Sequence, residues 1–242
     1  MITIARFITI AIIGLLVSSC HFDMNFNTGK TGNGNVVSEE RDADETFTKV
    51  KASEGLDVYI TQSNTQSIEV EADENIISLI ATDINNGVLT IHTKENIGRA
   101  KSKKIYVSLP EIDKIVSTSG ADVYSTDVLV AEDLEVKSNS GADIKIEVKA
   151  ESVFCSTSSG ADIKISGTAN SLRADASSGS DIHAKDLEVK TCNASASSGA
   201  DVTVNTSEKL DAKSSSGGDI HYYGNPESVS KNKSVSGGVY KK

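Results

Sequence analysis

The chain has 242 residues, of which 38% are hydrophobic and 24% charged, with Gly 18 and Pro 2; this suits one large globular domain or two small ones and excludes collagen-like or wholly disordered chains. The balance of 34 acidic against 24 basic residues gives a net charge of -10, which opposes phosphate backbones and anionic headgroups, so no nucleic-acid partner is expected. Trp is absent and aromatics are 5%, leaving little material for the stacking platforms of single-strand binders and sugar sites.

Residues 1–19 read as a lipoprotein signal peptide. Arg6 is followed by the apolar run Phe7 to Val17 and then by Val17-Ser18-Ser19-Cys20. The run is too short for a membrane span, which needs about 20 residues. Small residues before a cysteine predict cleavage there, with Cys20 carrying the acyl chains; the alternative is a plain secretory signal with an incidental cysteine. Removing 1–19 takes away Arg6 alone among the charges and leaves 23 basic against 34 acidic residues, so the anchor would be lipid and not electrostatic. Residues 20–40 contain the Asn-, Gly- and Thr-rich stretch DMNFNTGKTGNGNVVSEE. Without sustained hydrophobic periodicity it predicts a flexible tether; the alternative is an irregular first strand through Val36 and Val37.

Residues 41–118 predict an N-terminal β cap. Glu54-Gly55-Leu56-Asp57-Val58 reads as a diverged corner, Asp73 to Ile80 as a short helix, and Asn85-Asn86-Gly87 as a hairpin turn between Leu79-Ile80 and Val88-Leu89-Thr90-Ile91. Residues 119–242 repeat. Ser-Gly-Ala-Asp-Val/Ile or a variant recurs with its first glycine at Gly120, Gly141, Gly160, Gly179, Gly199, Gly217 and Gly237, at spacings of 21, 19, 19, 20, 18 and 20. Relative to that glycine, period-2 columns emerge, as strands require. Seven residues before it lie Leu134, Val153, Leu172, Cys192 and Leu210. Five before lie Ile115, Val136, Cys155, Ala174, Ala194 and Ala212, and three after lie Val123, Ile144, Ile163, Ile182, Val202 and Ile220.

A unit this short cannot close a core alone, so the repeat predicts an all-β, single-stranded, right-handed β-helix-like solenoid with rungs of 18–21 residues, stacked at about 4.8 Å with the glycine at a sharp corner. A β-propeller, with about 40 residues per blade, would use two copies per blade and leave one over. Cys155 and Cys192 fall in core columns two rungs apart, about 9.6 Å by strand spacing, beyond the roughly 7 Å limit of a disulfide. They are expected to be buried thiols.

Phe47-Thr48-Lys49-Val50, Gly55-Leu56-Asp57-Val58-Tyr59-Ile60, Glu69-Val70-Glu71-Ala72, Gly87-Val88-Leu89-Thr90-Ile91 and the repeated Ser-Gly-Ala-Asp together resemble the head GIN domain of autotransporter adhesins, from about residue 41 onward. That family is common in lipoproteins of Bacteroidetes-type bacteria. The resemblance implies the fold and an adhesive role, and it supplies no catalytic residues.

The candidate chemical site is the acidic column Asp122, Asp143, Asp162, Asp181, Asp201 and Asp219. Stacked carboxylates repel by about 1 kcal/mol per neighbour in water. One reading compensates them with calcium; the other has each accept hydrogen bonds from its turn backbone and be screened by lysines two residues on, such as Lys145 and Lys164. The second is adopted, with no metal and no cofactor. His92, His183 and His221 are scattered, no nucleophile and base pair forms a motif, and corner spacings of 18 to 21 leave no insertion to wall a cleft. The expectation is a non-catalytic binding or adhesion module, lipid-anchored at the outer membrane of a bacterial cell envelope, with a protein or glycan ligand. The alternatives are a carbohydrate-active β-helix enzyme and a periplasmic structural or stress-response lipoprotein.

Overall fold

The computed structural model describes residues 29–232 and 236–242. The proposed signal peptide and Cys20 lie outside the described residues. The described residues form a β-solenoid of sixteen strands: β1 Val36–Arg41, β2 Lys49–Ala52, β3 Asp57–Gln62, β4 Ser67–Asp73, β5 Ile80–Asn85, β6 Val88–Thr93, β7 Lys103–Leu109, β8 Lys114–Thr118, β9 Asp122–Asn139, β10 Asp143–Ser158, β11 Asp162–Ser177, β12 Asp181–Ser197, β13 Asp201–Ser215, β14 Gly218–Tyr223, β15 Ser228–Lys231 and β16 Gly237–Lys241.

Each long strand from β9 to β13 supplies both walls of one rung. In β10 the buried side chains are Ile144, Ile146 and Val148 before the bend and Val153, Cys155 and Thr157 after it. The inward parity switches across Lys149–Ser152, so both halves face one core. Neighbouring rungs pair in parallel with like residues aligned: Asp143 with Asp162, Ile144 with Ile163, Val153 with Leu172 and Cys155 with Ala174. The predicted core columns are buried throughout. Cys155 and Cys192 are free and buried, with burial pushing both thiols up to about 12.

The corners are two-residue turns with positive φ at both positions, in which Ser159 at 58° precedes Gly160 at 68°. A left-handed serine in every full repeat is a feature that the glycine alone did not announce. Two contacts hold it there. Each corner glycine donates its N–H to the serine carbonyl of the next corner, as Gly141 does to Ser159 at 3.1 Å. From inside, a buried hydroxyl closes the turn, as Ser117 Oγ does in donating to the Ala121 carbonyl at 2.7 Å. Ser138 Oγ donates to the Ala142 carbonyl in the same way, and both serines are buried.

The region before the repeats is already solenoid. Glu54 and Gly55 form a corner with φ of 65° and 67°, and β3 lies directly on β9, Asp57 opposite Asp122 and Tyr59 opposite Tyr124. The order in space departs from the order in sequence, because β2 pairs between β6 and β8, and β3 between β7 and β9. The rung made by β6 and β7 is therefore the outer one. Antiparallel strands cover it, β5 on β6 and β4 on β7, with β1 on β4. The hairpin at Asn86 and Gly87 forms as expected, with φ of 52° and 74°. Between Asp73 and Ile80 only the 3-10 turn Ile77–Leu79 is helical.

The tether reading is corrected at its C-terminal part. Residues 36–41 are the strand β1, and residues 30–34 are bonded to the body, with Lys30 N–H donating to Asn96 O and Gly32 N–H to Arg99 O, both at 2.9 Å. The buried Asp73 carboxylate accepts from the N–H groups of Gly34 at 2.7 Å and of Lys101 and Ser102 at 3.0 Å. A Cβ on Gly32 would lie 2.1 Å from Asp73 Oδ2. The segment lacks apolar periodicity because backbone hydrogen bonds and glycine approach hold it, not side-chain burial.

Candidate binding surface

The outward faces of the rungs are columns of side chains at strand spacing. The strand register aligns Asp122, Asp143, Asp162, Asp181, Asp201 and Asp219 in one column, with Asp57 at its N-terminal end. Its hydrogen bonds differ from the expectation. Two of the carboxylates reach along the stack: the Asp201 N–H donates to Asp181 Oδ1 at 3.2 Å and the Gly238 N–H to Asp219 Oδ1 at 2.8 Å. Lys145 and Lys164 form no ion pair among the described residues, whereas His183 in the same column lies 3.9 Å from Asp181. The carboxylates press on one another. Burial first and the Asp143 and Asp57 charges second hold Asp122 above the ordinary carboxylate range. Burial, then Asp181 and Asp143, do the same to Asp162. At Asp57 burial raises the group against the pull of Lys103 and Lys104. Among the described residues no group of three or more His, Cys, Asp or Glu side chains is placed to hold a metal ion.

Four residues after each corner glycine runs a second column: Tyr59, Tyr124, Lys145, Lys164, His183, Thr203 and His221, with Tyr106 of β7 beyond Tyr59. Three of the six tyrosines thus stack on one wall, Tyr106 on Tyr59 at 5.3 Å and Tyr59 on Tyr124 at 5.2 Å between ring centroids. Few aromatics in the composition did not mean dispersed aromatics. Their signal was present in the sequence, since Tyr59 and Tyr124 each stand four residues after a corner glycine, Gly55 and Gly120. Burial first and the Asp122 carboxylate second push the Tyr124 phenol up to about 12.

The stack ends at a notch. Lys145 pairs with Tyr124 and Glu147 with Val128, so β9 spends three residues where β10 spends one. These extra residues make the first spacing the longest, and the bulge they form, Ser125 to Asp127, is tied down on both sides. Thr126 Oγ1 lies 2.7 Å from Thr61 Oγ1, and the Glu147 N–H donates to Ser125 Oγ at 3.0 Å. The resulting cavity of about 230 Å³ is lined by Tyr124, Ser125, Thr126, Asp127, Lys145, Glu147, Lys164 and Ser166 among others. A shallow groove of about 530 Å³ runs along the bends, floored by Ala131, Ala150, Ala169 and Val189.

On the opposite wall Phe154 sits between Lys137 and Arg173, each over its ring at 5.5 and 5.2 Å from the centroid. Lys114 also reaches Glu135 at 2.8 Å. His183 and His221 stand in the second column, and His92 pairs with Asp83 at 2.8 Å on the β5–β6 hairpin. The structure does not bring the three histidines together.

Residues 46–226 match the family described as "Putative auto-transporter adhesin, head GIN domain". The chain belongs to the head GIN domain family. Among solved structures, this head GIN domain is similar to a "putative adhesin" from Bacteroides fragilis NCTC 9343, with TM-score 0.82 and 22% identity over 88% of this chain and 99% of that one. It is also similar to a "putative adhesin" from Parabacteroides merdae ATCC 43184, at 0.71 and 20% over 88% and 98%. A "putative lipid binding protein" from Parabacteroides distasonis ATCC 8503 aligns at 0.67 and 20% over 88% and 98%. At these identities the likeness is one of fold. No curated protein matches the sequence. Within the head GIN domain of this chain, the acidic column and the tyrosine stack share one wall, and the notch interrupts that wall at the register shift between β9 and β10.

Proposed function

We propose that the protein is a non-catalytic binding module of the cell envelope, adhesive in use, held at the outer membrane by lipid on Cys20. The observation that carries this reading is the register: from β3 through β9 to β14, outward side chains hold fixed columns over successive rungs. Such a wall is ordered before any ligand arrives, so binding to it costs little conformational entropy. The family description and the adhesin names of the similar structures agree with this use. The apolar run and small residues before Cys20 support the anchor.

The test has two arms. Display of the native chain on a non-adherent bacterium should raise adherence to immobilised glycans or host proteins several-fold, and unchanged adherence would sink the adhesive use. Cys20→Ser should move the protein from the membrane to the soluble fraction, and an unchanged membrane fraction would sink the anchor.

A further inference from the structure

We propose that the notch at the end of the tyrosine stack binds one pyranose ring of a neutral glycan. The proposal rests on the binding-module reading and names its ligand class. Three features of the notch converge on it. The first is Tyr124. One ring face packs on Tyr59 at 5.2 Å, and among the described residues neither a ring nor a cation stacks on the other face. Tyr124 borders the cavity. The face of an aromatic ring carries the negative lobe of its quadrupole, which suits the C–H face of a sugar ring. A pyranose there would continue the column of rings one step further.

The second feature is the charge of the lining. Lys145 and Lys164 face each other across adjacent strands, an arrangement of like charges that costs stability in a sheet. Asp127 and Glu147 line the same cavity. Two ammonium groups that only donate and two carboxylates that only accept balance in charge, so neither a polyanion nor a polycation is favoured. A polyhydroxylated ring uses both kinds, since each hydroxyl donates to a carboxylate and accepts from an ammonium group. Ser125, Thr126 and Ser166 add hydroxyls of their own.

The third feature is the construction. The cavity exists because the β9 rung departs from its neighbours, and a second register shift lies beside it between Lys164 and Gly167. Bulges re-aim side chains and recur beside functional sites. The volume of about 230 Å³ is below the roughly 300–1,000 Å³ of drug-sized sites and suits one ring, not a chain enclosed along its length.

The purified protein should be titrated by calorimetry with neutral oligosaccharides of glucose, galactose, mannose and N-acetylglucosamine, with heparin and polylysine as charged comparators. At least one neutral oligosaccharide should bind saturably. Tyr124→Ala should weaken it at least tenfold, and Lys164→Gln and Glu147→Gln at least threefold. The last two change exposed side chains, so they remain informative if Tyr124→Ala fails to fold. Arg173→Ala on the opposite wall should leave affinity unchanged. The proposal is overturned by no binding of any neutral oligosaccharide, by a preference for heparin or polylysine, or by native affinity in the folded notch variants. Cell display separates the two readings: adherence that survives the notch variants discards the notch and keeps the adhesive use, whereas notch-dependent sugar binding without adherence does the reverse.

Discussion

The two ends of the solenoid solve the same packing problem with different materials. Before residue 119 the strands are four to seven residues long, pair out of sequence order and bury large side chains such as Phe47, Leu56, Ile60, Ile91 and Ile105. After it, each strand from β9 to β13 runs 15 to 18 residues and pairs with its neighbour in sequence. One core column shrinks steadily from Ile115 through Val136 and Cys155 to Ala174, Ala194 and Ala212, all buried. A repeat can pass its edge to the next copy, but the terminal rung has no copy to receive it. The N-terminal region supplies the terminus with antiparallel strands and bulk.

The comparison breaks first if the two regions unfold independently. Both walls continue across the boundary, β3 onto β9 and β8 onto β9, so one cooperative transition is expected. Ile163 is fully buried in the middle of the repeat; Ile163→Asp buries an unpaired charge and should cost more than about 4 kcal/mol, unfolding both regions together. The exposed neighbour tests the parity: Lys164→Asp should shift stability by less than about 0.5 kcal/mol. Thermal unfolding followed by circular dichroism decides. A residual transition from a surviving N-terminal region would show two independent units, and equal effects of the two variants would show that the columns are misassigned.

The shrinking column sharpens the comparison. Ile115 and Ala194 occupy the same position five residues before a corner glycine, at opposite ends of the gradient. Ile115→Ala should leave a cavity and cost about 2–5 kcal/mol, while Ala194→Ile should overpack and cost about 1–3 kcal/mol. Urea midpoints measure both. If Ala194→Ile stabilised the protein, the narrow end would hold unfilled space, and the gradient would have no origin in packing.

How much of this was legible follows from where the repeat is strict. The corners and core columns could be read because each is repeated many times, so Val123, Ile144 and Ile163 vouch for one another. The rung of β2 and β3 was harder to see, since residues 63–113 separate it from the rung it stacks on. Its corner Glu54-Gly55 was visible, but its place between β7 and β9 depends on long-range pairing that local pattern does not encode. Asp73 shows the limit in another way: its three N–H partners come from Gly34, Lys101 and Ser102, residues with no common spacing. The notch was hidden in plain numbers. A spacing of 21 against 18 to 20 looks like noise in a period, yet two extra residues in one strand must bulge out of register and open the surface.

The smallest expected effect concerns the acidic wall, where repulsion runs from the first region into the second through Asp57, Asp122 and Asp162. All three are held above the ordinary carboxylate range by burial first; at Asp122 and Asp162 the neighbouring carboxylates add to this. A carboxylate whose folded value exceeds its unfolded value binds more protons when folded, so in the window above the usual Asp value of about 3.9 stability must rise as pH falls. Asp73 works in the opposite sense. Burial would raise it, but the N–H groups of Gly34, Ser102 and Lys101 together hold it below its ordinary value, so its contribution is present above the unfolded value and is lost as pH falls through the folded one. The melting temperature should therefore climb by about 1–2 °C from pH 7.5 to about pH 5, a modest gain because these carboxylates are partly exposed and screened, and then fall below about pH 4. Asp122→Asn combined with Asp162→Asn should flatten the climb and raise the melting temperature slightly at pH 7.5, since two members of a repulsive row are gone. Millimolar calcium should leave the native curve unmoved, whereas a rise would follow from mass action on a site in the folded state. A native protein more stable at pH 7.5 than at pH 5, or a double variant with an undiminished climb, would show that the row does not carry this strain.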